Sequence, residues 1–206
     1  MKKLSVVVLL LSLLFLSGCI SYREDLELNL DGSGKAAYLA GCVTFIEGGD
    51  FKYKLEVVDG FTVISDHVYE EGGCDYNEII GEFESFDVIA EMARRGNGFS
   101  GIITLTENDD GSCLFARDLT GLPARIEENL GVDPSSPEFQ SELAEMVEEY
   151  PELGLAYSVR FPGTIIDANA NPEDIDQDAN TVRWSFSLTE AVNDPPLMQA
   201  TFMPQR

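Results

Sequence analysis

The stretch "SYREDLELNLDGSGKAAYLAG", Ser21 to Gly41, decides the fold class. Leu26, Leu28 and Leu30 alternate with Asp25, Glu27 and Asn29, which is the period of two of a half-buried strand. Asp31 to Gly34 supply residues that tolerate positive φ, and "KAAYLAG" returns as a second strand. The same grammar recurs at Asp59-Gly60, between "KYKLEV" and "FTVISDHVYE", and at Asn108 to Gly111, between "GIITLT" and "CLFAR". The chain is therefore built from antiparallel hairpins.

Upstream of this hairpin, Lys2 and Lys3 precede an apolar run from Leu4 to Leu16, too short to span a bilayer comfortably. A basic start, a short apolar run and small residues make a secretory signal peptide over residues 1–18. Its last residues, Leu16-Ser17-Gly18-Cys19, resemble the bacterial lipobox. That resemblance implies that Cys19 receives a diacylglyceryl group, becomes the first residue of the mature protein and is N-acylated, with chains such as palmitate. Each buried methylene contributes about 0.8 kcal/mol, so two or three chains hold a protein on its membrane where one does not. The expected localisation is the outer face of a bacterial membrane, in the cell envelope. Only a few residues separate Cys19 from the first strand, so the domain works close to its anchor.

Loss of the first 18 of 206 residues leaves 188, the size of one domain with its own core, spanning residues 19–206. Lys2 and Lys3 leave with the signal, so 37 acidic residues face 11 basic ones, a formal charge of −26. Such a body repels nucleic acid and anionic headgroups. Cys42, Cys74 and Cys113 remain in a compartment that permits disulfides, and an odd number allows at most one internal pair. No C-x-x-C pair is present and His67 is the sole histidine, so neither a metal centre, a cofactor motif nor a Ser/Cys-His catalytic pair is expected. "NPEDIDQDAN" spaces Asp174, Asp176 and Asp178 by two. It fails as an EF-hand because Ala179 and Ser185 stand where glycine and glutamate are required. Turn chemistry accounts for these aspartates.

Helical patterns occupy the middle of the chain. "SFDVIAEMARRG" puts Phe86, Ile89, Met92 and Ala93 on one face, and "LPARIEENLG" runs from Pro123 at its entry to Gly131 as its stop. "SSPEFQSELAEMVEEY" aligns Phe139, Leu143, Met146, Val147 and Tyr150 against a face of glutamates that repel one another. Strands resume with "LAYSVRFPGTI", "NTVRWSFSL" and "LMQATFM". In the second of these, Val182, Trp184, Phe186 and Leu188 fall on one side, as the core face of a sheet or the lining of a ligand cavity. The order of elements predicts an α+β fold, a curved antiparallel sheet built from hairpins with two or three helices packed on one face.

The two ends of the chain carry a resemblance. "LSGC" with its immediate hairpin, Pro162-Gly163, the Asn169 and Asn171 turn, the Thr181-Val182-x-Trp184 strand and a short last strand with Ala200 together resemble the LppM-like family of bacterial lipoproteins. The resemblance implies an extracytoplasmic α+β domain that binds envelope lipids or glycolipids and carries no catalytic residues. Some members end in a transmembrane segment, whereas this chain stops at "TFMPQR", so anchoring rests on Cys19. The expected function is a non-catalytic lipoprotein binding an apolar or amphipathic ligand between sheet and helices. Phe139, Leu143, Met146, Trp184 and Phe186 are its candidate lining residues. The rivals are an acidic module that docks a basic partner in an envelope assembly and, third, a hydrolase working through two carboxylates.

Overall fold

The computed structural model describes residues 21–41, 55–71, 74–95, 101–149 and 154–205. Eleven strands and four helices are found there, in the α+β class expected. The chain runs β1 (Ser21–Leu28), β2 (Gly34–Gly41), β3 (Phe61–Glu71), β4 (Cys74–Phe83), α1 (Phe86–Arg95), β5 (Ile102–Glu107) and β6 (Cys113–Asp118). It continues through α2 (Leu122–Leu130), α3 (Pro137–Glu149), β7 (Gly154–Arg160), β8 (Gly163–Ala168), β9 (Ile175–Asp176), β10 (Thr181–Ser187), α4 (Leu188–Asn193) and β11 (Leu197–Pro204).

The strands divide between two sheets, one ordered β3-β4-β2-β1-β7-β10-β9 and one ordered β5-β6-β11-β8. Pairing is antiparallel except between β1 and β7, where Tyr22 to Glu27 run alongside Leu155 to Arg160. The sheets face each other. Tyr22, Leu26, Tyr38, Tyr157, Val159 and Trp184 from the larger sheet meet Ile103, Phe115, Met198, Ala200 and Phe202 from the smaller in one buried core. Helix α1 adds Ile89, Met92 and Ala93 to this core, so the apolar face predicted for it is the face it buries.

The opening hairpin follows the expected alternation, with Leu26 and Leu28 buried. Leu30 departs from it: the strand ends at Leu28 and Leu30 projects from the turn, 57% exposed. Gly34 is required where β2 begins, because a Cβ there would sit 2.0 Å from the Glu27 carbonyl oxygen. The expected strand "TVRWSFSL" also stops early. Leu188 opens α4, whose N-cap Ser187 accepts from the Glu190 N–H while the Glu190 carboxylate accepts from the Ser187 N–H, a capping box.

The outward faces of the two sheets differ in charge. On the larger, Glu82, Lys35, Glu27 and Arg160 form one cross-strand row, with Lys35–Glu82 at 3.4 Å and Arg160–Glu27 at 3.1 Å. On the smaller, the row Thr104–Ala116–Gln199 is uncharged, and the row Thr106–Leu114–Thr201 ends in Asp167 on β8. No helix among the described residues is long and apolar enough to cross a membrane.

Candidate functional site

The helices after β6 build a second, smaller core. Phe139 and Leu143 of α3 pack with Leu188 and Val192 of α4, and half-buried Ile126, Val132, Met146 and Val147 lie against them. Gly131, in the left-handed region, ends α2 as the sequence indicates, returning its N–H to the Glu127 carbonyl. The Gln140 and Asn193 side-chain amides bond each other reciprocally at 2.6 and 2.9 Å and tie α3 to α4.

This cluster stands at a defined end of the sandwich. Ser187, which α4 follows, pairs with Gly154, and the next residue of β7, Leu155, lies level with Tyr22. The small core therefore sits at the end where β1 begins. Cys19 precedes Ser21 by two residues, a chain reach of at most about 7 Å.

The five lining candidates fall into two groups. Phe139 and Leu143 are buried in the small core with Met146 half-buried beside them, whereas Trp184 is in the large core, 4% exposed. Its indole N–H donates to Asn169 Oδ1 at 3.2 Å, and the same oxygen accepts the Gln199 N–H at 2.7 Å, so Trp184 helps join the sheets. Phe186, half-buried, lies against the large core. Ile126 touches both cores and marks the seam between them.

Polar chemistry near the seam is sparse. Glu142, one helical turn from both Phe139 and Met146, has its carboxyl pushed above the usual range by burial and then by the neighbouring Glu145 and Glu138 carboxylates. Its Oε2 is shielded from solvent and has no hydrogen-bond partner among the described residues. The half-buried Cys113 is a free thiol, raised by burial and by the Glu107 carboxylate and so held protonated. Cys19 and Cys42 lie outside the described residues, as does the side chain of Cys74. His67 stacks on Tyr69 on the exposed strand β3, ring centroids 5.7 Å apart. Asp174 and Asp176 make turn bonds: Asn171 Nδ2 donates to Asp174 and the Ala179 N–H to Asp176.

Sequence reasoning missed a buried ion pair. Glu24 and Arg117, each 1% exposed, meet between the sheets through two hydrogen bonds of 2.6 and 2.7 Å. The Tyr22 hydroxyl donates to the same carboxylate at 2.8 Å, and the guanidinium carbon lies 4.7 Å from the centre of the Tyr157 ring. Burial pulls the Arg117 proton affinity down, and the Glu24 carboxylate more than offsets this, leaving the guanidinium above its usual range. Alternation from Leu26 back through Glu24 to Tyr22 was the available signal, since it puts Glu24 on the inward face.

No protein-family model matches the chain, and no curated protein matches it. Among solved structures, the fold is similar to that of the folded domain of LppM from Mycobacterium tuberculosis, with a TM-score of 0.54 and 14% identity, over 92% of this chain and 92% of that one. The chain has an LppM-like fold.

Proposed function

We propose that this protein is a bacterial lipoprotein, anchored in the cell envelope through Cys19, whose domain is non-catalytic and binds an apolar or amphipathic ligand such as a lipid. The observation that carries the reading is the seam at Ile126, where two apolar cores meet at the end of the sandwich that begins with Ser21. A ligand drawn from the membrane would have the shortest path there. Burial of its hydrocarbon would drive binding at about 25 cal/mol per Å². The Glu142 carboxyl, whose pKa burial and the neighbouring Glu145 and Glu138 carboxylates push up, suits a neutral head group better than an anionic one. The lipobox at Leu16 to Cys19 and the LppM-like fold support the anchor and the envelope setting.

Native mass spectrometry of the mature chain with Cys19→Ser, incubated with envelope lipid extract, tests the ligand. A lipid-sized mass increment that Met146→Asp abolishes, in a protein of unchanged circular dichroism, is the expected result. A clean apo mass would sink the reading. Intact mass and phase partitioning of the wild-type protein test the anchor separately.

A further inference from the structure

We infer that α3 is a lid on the small core that answers to protons and salt: it docks on α4 when its carboxylates are protonated or screened, and lifts away as they ionise at low ionic strength. Little apolar surface holds it down. Phe139 and Leu143 are its buried residues, set against Leu188 and Val192 of α4, and its Met146 and Val147 are only half-buried. Its polar ties gather near its start, where Gln140 Nε2 donates to the Pro134 carbonyl and to Asn193 Oδ1, both at 2.6 Å, and Asn193 Nδ2 returns a bond at 2.9 Å. An element with few buried contacts opens locally, at a lower free energy than the molecule as a whole.

Charge works against those contacts. The helix carries Glu138, Glu142, Glu145, Glu148 and Glu149 and no lysine or arginine. Glu138 and Glu142 stand four residues apart, and Glu142, Glu145 and Glu148 three apart, the spacings at which like charges on a helix repel. Glu148 lies in the last turn, where the helix dipole also disfavours a negative charge. Among the described residues no cation pairs with Glu138, Glu142, Glu145 or Glu148. The neighbouring elements add more acids: Glu190 on α4 with Asp194 at its end, Glu127 and Glu128 on α2, and Asp133 before α3, which accepts from Ser135. Arg125, the cation of α2, reaches the Arg94 carbonyl on α1 at 3.5 Å. Glu142 couples the charge to the docking. Its Oε2 is shielded from solvent and accepts no hydrogen bond, so docking takes an ionised carboxylate out of water without replacing what water gave it. Burial first, then Glu145 and Glu138, raise its pKa in the docked helix. Docking is therefore fully supported below the ordinary value of 4.5 and loses that support as pH rises through the docked value. Lifting α3 uncovers Leu188 and Val192 at the end of the sandwich where β1 begins. Use of that surface by a ligand rests on the reading above, whereas the opening itself does not.

Hydrogen exchange read by mass spectrometry, on the mature chain with Cys19→Ser and without lipid, tests the lid. Rates are corrected for the intrinsic effect of pH, and α1, buried in the large core, serves as the internal reference. In about 0.01 M salt, where the Debye length is about 30 Å, α3 amides should exchange roughly three- to tenfold faster near pH 7.5 than near pH 5, the combined effect of three like-charge pairs. Sodium chloride at about 0.5 M should reverse most of this at the higher pH. Glu142→Gln should remove most of the pH difference, Glu145→Gln part of it, and neither should change α1. Exchange of α3 that is the same at both pH values overturns the proposal. So does a difference that Glu142→Gln leaves intact, or one that α1 shares in full.

Discussion

Glu24 is the residue at which this core departs from a purely apolar one. Its neighbours across the sheet are Tyr38 on β2 and Tyr157 on β7, and Tyr157 in turn pairs with Trp184 on β10, so a carboxylate interrupts an aromatic row. Arg117 reaches it from the opposite sheet, so the pair joins β1 of one sheet to β6 of the other. Removing one partner leaves the other charge buried without compensation, which costs about 3–5 kcal/mol. Glu24→Leu and Arg117→Met are each expected to lower stability by that amount in urea unfolding. The double change Glu24→Leu with Arg117→Met should cost less than either alone, because no buried charge remains. A double variant as unstable as the sum of the singles would show that the pair contributes nothing as a pair.

Two hairpins are built on one turn. Asn29 to Ser33 and Asn108 to Ser112 share the pattern Asn-x-Asp-Gly-Ser and the same bonds. The Asn N–H donates to the Ser carbonyl at 2.8 Å in both, the Ser hydroxyl to the Asp carboxylate at 2.6 Å in both, and the Gly φ is 84° and 82°. The Ser33 and Ser112 hydroxyls hold Asp31 and Asp110 below the ordinary carboxylate range. A depressed folded value stabilises above the unfolded pKa, near 4, and that support is lost as pH falls through the folded value. Glu142 has the opposite sign. Its raised folded value favours the protonated form, so ionisation above pH about 4.5 works against the fold. Glu142→Gln is expected to raise the melting temperature at pH 7 and to lose that advantage below pH about 4. An unchanged melting temperature at pH 7 would count against burial of this carboxyl. At the start of α4, Ser187→Ala removes the hydroxyl that accepts the Glu190 N–H, leaving the backbone N–H at 187 to donate to the Glu190 carboxylate, and should cost about 1 kcal/mol.

At the scale of the molecule, the excess negative charge is spread over α3, the turns and the strand ends, while Arg23, Lys35 and Arg160 lie on the larger sheet and Arg94 and Arg95 pair with Glu91 on α1. Self-repulsion of this kind destabilises the compact state and is screened by salt. The melting temperature of the mature chain is therefore expected to rise between low salt and about 0.5 M sodium chloride, where the Debye length is only a few ångströms. Thermal scans across that range check it, and a flat or falling curve would mean that the local ion pairs outweigh the global repulsion.

The sequence by itself determined the hairpins at Asp31–Gly34 and Asn108–Gly111, the three amphipathic helices and the α+β class, because strand alternation, turn residues and helix stops act over a few neighbouring positions; at Asp59-Gly60 residues 55–58 form no strand, and β3 pairs with β4 instead. Gly131 as the end of α2 and the buried face of α1 were legible for that reason. The tertiary structure alone decided that the strands divide between two sheets, that Glu24 meets Arg117 across 93 residues, and that Trp184 and Phe139 belong to different cores. Each of these depends on which faces meet after the chain has folded back on itself. A pattern of two or of 3.6 says that a face is apolar, and it does not say what that face is packed against.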